Sequence, residues 1–369
     1  ETAFIPPIGF MFLFLSFLED SGYMARAAFV MDRFMRVIGL PGKSFIPMLV
    51  GFGCNVPAIM ATRTLESEKD RILTRLITPF MSCSAKLPVY IALAGTFFGV
   101  RAGSVIFAIY LFGIVLSMIT GRIFRSTLLK GADAPFVMEL PPYRAPMLKS
   151  LLIHMWDRSR IFLKKMGGVI LVGSVVIWFL TAFPRTGVYS RDYAGEAART
   201  AAAYDNKIQT APEGEKPLLE ARKDEDLAAI ERARRAERVE YSLMGRIGKT
   251  LAPVFVPLGI DWRGGVALVS GFVAKEIVVS TLGVLYAADE AEKSDALGTA
   301  MKASGMTPLS ALSMMIFVLL YLPCLATVTA IRRETGSLRW MFFSIFYSTS
   351  LAWIAAFCVY QGGSLLGFK

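Results

Sequence analysis

The sequence GFGCNVP at residues 51–57 interrupts an apolar segment that runs from 45 to 61. This segment is shorter than the roughly 20 residues that a spanning helix needs, and two glycines and a proline break it. Irregular backbone at membrane depth is tolerated only where it faces protein or a water-filled cavity. The segment therefore predicts a re-entrant hairpin, and the flanking Lys43 and Arg63 predict that both of its ends are cytoplasmic.

The composition indicates the class of protein. Of 369 residues, 54% are hydrophobic and only 19% are charged, whereas soluble domains have about 45–50% apolar residues even when glycine is counted. Residues 185–240 hold 11 Lys or Arg and 12 Asp or Glu, and the basic excess elsewhere borders apolar segments. That pattern is typical of membrane topology, and no basic stripe with interleaved aromatic residues predicts nucleic-acid binding. We therefore expect an all-α polytopic membrane protein in the lipid bilayer.

A second broken apolar segment lies at 309–331, where Pro323 divides it into two pieces that are too short to span. It predicts a second re-entrant hairpin. Cys54 and Cys324 each lie near a proline in the broken segments, and each precedes an arginine by nine residues. The two cysteines are therefore predicted to occupy equivalent positions of an internal repeat.

Short strings of sequence support this repeat. SGYMAR at 21–26 resembles SGFVAK at 270–275, and SCS at 82–84 resembles STS at 348–350. In the second half of the chain, apolar runs predict spanning helices at 264–286 and, as the last one, at 340–360.

The number of membrane crossings between the two breaks determines whether the two repeats have the same or opposite orientations in the membrane. Spanning helices are predicted at 78–98, 104–124 and 166–183, and this odd number inverts the second half relative to the first. Inverted repeats with paired broken helices are typical of transporters, whose binding site lies at the breaks. The inversion predicts that Arg63 and Arg333 face opposite sides of the membrane.

These predictions divide the chain into five segments. They are a first repeat at 1–124, a cytoplasmic linker at 125–165, a spanning helix at 166–183, an external charged helical insert at 184–240 and a second repeat at 241–369.

The candidate metal ligands lie at the breaks and in the neighbouring apolar segments. They are Cys54, Cys324, Cys83, Asn55, Ser82, Thr327 and Glu276. Thiolates with neutral oxygens suit a borderline divalent ion such as Fe²⁺, whereas Mg²⁺ prefers carboxylates. A membrane cysteine is also an ordinary small apolar residue, and Glu276 could form a structural ion pair with Lys275 or Lys86.

Several chemistries are excluded by what the chain lacks. A single histidine rules out a multi-imidazole metal site. Gly-Lys-Ser at 42–44 and Gly-Lys-Thr at 248–250 lack the earlier glycine that a nucleotide-binding P-loop needs. No paired nucleophile and base is evident, so we expect no enzymatic activity from this sequence.

Three longer motifs carry a family resemblance. LEDSGYMARAAFVMDR at 18–33, MSCSAKLPVY at 81–90 and IRRETGS at 331–337 resemble the FeoB ferrous-iron transporters. The resemblance implies a multi-pass protein of the bacterial inner membrane that imports Fe²⁺ through two domains related to nucleoside-transporter gates. The family's gate cysteines match Cys54 and Cys324.

The resemblance also implies partners outside this sequence. Such proteins carry an N-terminal cytoplasmic G domain, so binding of GTP and Mg²⁺ is expected there and not in these residues. Small cytoplasmic Feo accessory proteins and a second copy of the chain are further candidate partners. From the residues alone, transport of Mn²⁺ or Zn²⁺ and a receptor or anchor with vestigial gates stay open as alternatives.

Overall fold

The computed structural model describes residues 5–130, 143–144, 146–183, 191–210, 212, 216–286 and 294–367, and all regular elements in these ranges are helical. The first eight helices are α1 (Ile5–Asp20), α2 (Tyr23–Ile38), α3 (Phe45–Gly51), α4 (Asn55–Ala61), α5 (Glu68–Ile77), α6 (Leu87–Phe98), α7 (Ala102–Thr127) and α8 (Leu148–Ala182). The others are α9 (Tyr193–Thr210), α10 (Lys216–Tyr241), α11 (Leu243–Phe255), α12 (Trp262–Ser270), α13 (Ile277–Leu285), α14 (Ser294–Ala303), α15 (Pro308–Leu320), α16 (Leu325–Thr335) and α17 (Leu338–Leu365).

Three helical stretches of the described chain are long and apolar enough to cross a membrane. They are Glu68–Thr127, Pro308–Thr335 and Leu338–Leu365. A fourth arises if α11 and α12, which meet at an angle of 109°, are counted as one broken span. The prediction of an all-helical protein with several apolar helices is confirmed.

Helices α3 and α4 fold back on each other, and we call them the first helix pair. Cys54 takes an extended conformation between them, with φ −151° and ψ 132°, so the helix is broken there and α3 and α4 pack on each other across the break. The glycines and the proline predicted this break correctly.

Helices α12 and α13 also fold back on each other, and we call them the second helix pair. Asp261 precedes α12 and caps it by accepting from the N–H of Gly264 at 2.8 Å. Tyr286 follows α13, and its hydroxyl donates to the Asp261 carboxylate at 3.0 Å, which holds the two ends of the pair together. The single spanning helix predicted at 264–286 is therefore wrong.

Two helices of the bundle are interrupted instead of continuous. The first interruption, residues 81–83, separates α5 and its terminal turn at Thr78–Phe80 from the stretch that leads into α6. The second, residues 321–324, separates α15 from α16. Because α15 and α16 together form one candidate span, the hairpin predicted at 309–331 is wrong, and the second break is an interrupted helix.

The bases of the two helix pairs lie at opposite ends of the molecule. At the base of the first pair, Arg75 donates to the Thr62 hydroxyl at 2.7 Å and to the carbonyl of Glu334 at 2.8 Å. At the base of the second pair, Gln361 near the end of α17 donates to the Pro257 carbonyl at 2.9 Å. We call these the basic end and the insert end, respectively.

The insert end takes its name from α9 and α10, which form a helical hairpin. Pairs of polar side chains join them, including Lys223 with Asp205 at 2.6 Å and Tyr204 with Asp226 at 2.6 Å. The hairpin packs on α11 and α13. The prediction of exposed helix is confirmed for these two helices, while residues 184–190, 211 and 213–215 of the insert lie outside the described ranges.

Helix α8 joins the two ends without an interruption over 35 residues. It combines the later part of the predicted linker with the predicted spanning helix at 166–183. At its beginning Arg158 pairs with Glu19 of α1 at 2.7 Å, and after its end the Phe183 carbonyl accepts from the N–H of Leu243. The earlier part of the linker, at 131–142 and 145, lies outside the described ranges.

Candidate functional site

The tip of the first helix pair carries Cys54, which immediately precedes α4. The carbonyl of Gly53 accepts two hydrogen bonds from Ser84, one from its N–H at 3.2 Å and one from its hydroxyl at 2.9 Å. Because Ser84 follows Cys83, these bonds attach the tip of the first pair to the first interruption. Cys54 and Cys83 are therefore neighbours in space.

The second half repeats this attachment. Cys324 ends the second interruption, and the N–H of the next residue, Leu325, donates to the Phe272 carbonyl at 2.9 Å. Phe272 lies at the tip of the second helix pair, between α12 and α13. In both halves, the residue after an interruption cysteine thus donates its N–H to a carbonyl at the tip of the preceding pair.

This shared geometry changes which cysteines are equivalent. Cys83 corresponds to Cys324, since each lies in an interruption, whereas Cys54 lies at the tip of a pair. The predicted equivalence of Cys54 and Cys324 is wrong. The proposed match between 82–84 and 348–350 is also wrong, because the latter residues lie inside the uninterrupted helix α17.

All three cysteines nonetheless lie in one region. Cys54 is within electrostatic range of Cys324, Cys83 and Glu276. Cys54 and Cys324 also pack against the same apolar cluster, which includes Val56 of α4 and Ala330 of α16. Cys358 is exposed on α17 and takes no part in this region.

The oxygen-bearing candidates differ in what they already bind. Ser82 is hydrogen bonded to the hydroxyl of Tyr90 at 3.3 Å, and the Thr327 hydroxyl contacts the Cys324 sulfur at 3.1 Å. Asn55 is only 5% exposed, yet its Oδ1 atom has no hydrogen-bond partner. Since a buried acceptor without a partner is costly, Asn55 provides a free oxygen directly beside Cys54.

Glu276 lies at the tip of the second pair, just before α13, and is partly buried. Within the described ranges, no group of three or more His, Cys, Asp or Glu side chains is arranged to hold a metal ion. The thiols and the neutral oxygens of the site lie where the tips of the two helix pairs meet the two interruptions.

Two buried lysines complete this region, and their contacts were not predicted. Lys86 donates to the carbonyls of Pro79 at 3.2 Å and Leu319 at 2.6 Å. Lys275 donates to the carbonyl of Leu322 at 3.0 Å and lies over the ring of Tyr321. Both lysines were evident in the sequence as isolated charges in apolar segments, but we expected them to pair with Glu276 or reach the membrane surface.

At the basic end, α4 and α16 are joined by an ion pair. The Arg63 guanidinium donates to both carboxylate oxygens of Glu334, with the Nε bond at 2.7 Å. The hydrogen bonds to Glu334, together with its charge, raise the pKa of Arg63 above its usual range. Because Arg333 is adjacent to Glu334, the prediction that Arg63 and Arg333 face opposite sides is wrong.

The helices α4 and α16 therefore run side by side in the same direction. Their first residues follow Cys54 and Cys324 in the central region, and their last residues approach the Arg63–Glu334 pair. SGYMAR at 21–26 is also not structurally equivalent to SGFVAK, because the former leads into α2 at the basic end and the latter forms the tip of the second pair.

Comparison with known families identifies the relatives of this arrangement. The gate family described as nucleoside recognition matches residues 2–97 and 163–338, and the ferrous iron transport protein B C terminus matches residues 106–158. The chain belongs to the FeoB family. The match to the gate family covers both helix pairs, both interruptions and all three central cysteines.

Individual relatives agree with this assignment. The chain is 49% identical to an Fe(2+) transport protein A/Fe(2+) transporter FeoB fusion protein of Porphyromonas gingivalis, over 98% of this chain and 42% of the relative. It is 42% identical to an Fe(2+) transporter FeoB of Methanocaldococcus jannaschii, over 98% of this chain and 48% of the relative. A Helicobacter pylori Fe(2+) transporter FeoB is 37% identical over 99% of this chain and 55% of its own length.

The chain thus spans about half the length of the curated relatives it matches. No solved structure matches it.

Proposed function

We propose that this chain is the membrane permease portion of a bacterial ferrous iron importer. The observation that carries the proposal is the convergence of Cys54, Cys83 and Cys324 where one helix tip meets two interrupted helices. Half-buried thiols beside broken backbone in an apolar bundle are the ligands expected for a borderline divalent ion and not for Mg²⁺. Membership of the FeoB family and the names of the relatives support the same ion.

The path of the ion follows from the two helix pairs. Their bases lie at opposite ends and their tips approach the same central region, so we propose that they enter an inner membrane as re-entrant hairpins from opposite sides. The basic end is then cytoplasmic, since it holds Arg63, Arg75 and the Arg332–Arg333 pair. The insert hairpin α9–α10 is external.

At the centre, Cys54 and Asn55 form the ligand group of the first tip, with one thiol and one free amide oxygen. Cys324 and Cys83 form the ligand groups of the interruptions, and Thr327, Ser82 and Glu276 add oxygens. An ion held by two thiolates and exchangeable oxygens is bound selectively but weakly enough to leave. In this proposal Fe²⁺ passes between Cys54 and the interruption cysteines.

Energy for transport is proposed to come from outside these residues. A cytoplasmic G domain that binds GTP and Mg²⁺ is the partner implied by the family resemblance. Feo accessory proteins and a homo-oligomer are further proposals, and all would contact the chain through its cytoplasmic or lipid-facing surfaces.

The test is uptake of radioactive Fe²⁺ by cells that express the full-length protein with Cys54→Ser, Cys83→Ser or Cys324→Ser. Serine keeps the size of the side chain and removes the thiolate, so we expect uptake to fall at least about tenfold, as when a metal site loses a needed group. Cys358→Ser is the matched control because this thiol is exposed on α17.

Competition with Mn²⁺ and Zn²⁺ in the same assay defines the ion. Stronger inhibition by Mn²⁺ or Zn²⁺ than by unlabelled Fe²⁺ would show that the stronger inhibitor, and not Fe²⁺, is the preferred substrate. Normal Fe²⁺ uptake by all three serine variants would show that the thiols are not ligands and would transfer the proposal to Asn55, Ser82, Thr327, Glu276 and backbone carbonyls.

A further inference from the structure

The ammonium group of Lys86 lies at the meeting point of the two halves. Its side chain is 2% exposed, and within the described ranges no carboxylate forms an ion pair with it. Its two acceptors are backbone carbonyls, Pro79 O at 3.2 Å from the first half and Leu319 O at 2.6 Å from the second. The positive charge of the Lys86 ammonium is therefore stabilised by backbone dipoles and not by an acidic side chain.

Both carbonyls belong to the ends of half-helices. Pro79 lies in the terminal turn Thr78–Phe80 that follows α5, and Leu319 lies in the last turn of α15. The last carbonyls of a helix have no partner within that helix, and the helix dipole makes this end negative. Two negative helix ends that converge with free carbonyls are the arrangement in which broken-helix transporters bind monovalent cations.

The position of Lys86 has no charged counterpart in the second half of the chain. Lys86 follows Cys83 by three residues, and the residue three after Cys324 is Thr327, which is neutral. The Thr327 hydroxyl is used by Cys324, not by a helix end. The ammonium that binds a carbonyl of each interrupted helix thus comes from the first half, while Lys275 of the second half binds Leu322 in its own interruption.

We propose that Pro79 O, Leu319 O and the two helix ends form a monovalent-cation site that the ammonium of Lys86 fills permanently. The ammonium replaces a free ion such as Na⁺ and links the two interrupted helices. This inference is independent of the transported metal, because it concerns the cation that holds the two halves together.

The test is thermal unfolding of the purified chain in detergent without iron. Lys86→Ala removes the ammonium and leaves a space that matches n-propylammonium, so we expect a lower Tm. Added n-propylammonium chloride should restore more than half of the loss in a saturable manner, whereas tetramethylammonium chloride at equal ionic strength should not. Lys86→Met fills the space without charge, and we expect it to be destabilised and insensitive to n-propylammonium.

A second variant covers the case in which Lys86→Ala does not fold. Lys86→Thr installs the residue found at the corresponding position of the second interrupted helix, and we expect Na⁺ or n-propylammonium to raise its Tm. A parental Tm for Lys86→Met, or an equal response of Lys86→Ala to both ammonium salts, would overturn the proposal. Failure of both Ala and Thr variants to fold with n-propylammonium present from cell lysis onward would also count against it, since the site would have been refilled.

Discussion

The two interruptions are attached alike but filled differently. In each, the residue after the cysteine donates its N–H to the tip of the preceding helix pair, Ser84 to Gly53 and Leu325 to Phe272. Lys86 binds the carbonyl just before each interruption, Pro79 at the first and Leu319 at the second, but the second interruption is braced in addition by Lys275, which binds the Leu322 carbonyl. A buried oxygen without a hydrogen-bond partner lies near each interruption, Asn55 Oδ1 at the first tip and the Tyr321 hydroxyl at the second interruption, where the Lys275 ammonium lies over the Tyr321 ring.

This difference assigns separate tasks to the two halves. A braced region resists rearrangement, whereas an unpaired buried acceptor is costly to the fold and available to a ligand. We infer that the second interruption stabilises the bundle and that the first tip binds the ion. The following substitutions test that division.

The largest effect is expected for the cysteines of the two interruptions. If Cys83 is the structural counterpart of Cys324, then Cys83→Ser and Cys324→Ser should each reduce Fe²⁺ uptake by at least about tenfold and to a similar extent. Parallel uptake assays, normalised to the amount of protein in the membrane, measure this. Parental uptake by Cys83→Ser together with reduced uptake by Cys324→Ser would show that the two positions are not functionally equivalent.

The next largest effect is expected for Lys275, whose hydrogen bond to Leu322 stabilises the second interruption. Lys275→Met keeps the length of the side chain but leaves the Leu322 carbonyl buried without its donor, which costs about 1–3 kcal/mol. We expect a lower Tm in detergent. Lys302→Met is a suitable control, because Lys302 is exposed on α14. Unchanged stability of Lys275→Met would show that the brace is dispensable.

A smaller and more selective effect is expected at the first tip. Asn55→Leu keeps the number and branching of the side-chain heavy atoms and removes an acceptor that binds nothing in the fold, so the free energy of unfolding should change by less than about 1 kcal/mol. Fe²⁺ uptake should nonetheless fall several-fold. The combination of parental Tm and reduced uptake identifies a ligand, while a loss of Tm in proportion to uptake would indicate a structural role.

The smallest effect is expected at the basic end. Arg63 is largely exposed, and the Glu334 side chain, which is 7% exposed, keeps Arg75 as a partner at 3.8 Å, so we expect the loss of Arg63 to cost about as little as the loss of an exposed ion pair, about 0–1 kcal/mol. Arg63→Gln should therefore lower the Tm only slightly. A Cys introduced at position 63 and one at 333 should react with an impermeant thiol reagent from the same side of the membrane, and labelling from opposite sides would contradict the side-by-side arrangement of α4 and α16.

Sequence reasoning recovered the class of protein and the break between α3 and α4, and it named three cysteines that lie in one region of the structure. The break at 51–57 was readable because glycine and proline act locally. Composition was enough for the helical membrane class, since 54% hydrophobic residues leave few alternatives.

The register of the repeat was not recoverable from short strings. The Ser-Gly pairs at 21–22 and 270–271 both end a helix, and this local signal is the same at a surface turn and at a buried tip. The run at 264–286 is apolar enough for a spanning helix, and only its tertiary contacts, such as Lys275 with Leu322, distinguish a folded pair. Hydrogen bonds between lysines and distant carbonyls leave no pattern in the sequence.

The length of α8 has a mechanical consequence. Thirty-five residues make a rod about 52 Å long, whereas the hydrocarbon core of a bilayer is about 30 Å thick. In the proposed topology, with α8 along the membrane normal, about 20 Å of the helix would therefore project from the bilayer. In its last third, Gly173 lies against the side chains of Val273 and Leu325, at the second tip and the start of α16. In the proposed topology, a tilt of the projecting part of α8 would therefore be transmitted to the second tip and to the start of α16, because α8 packs against both.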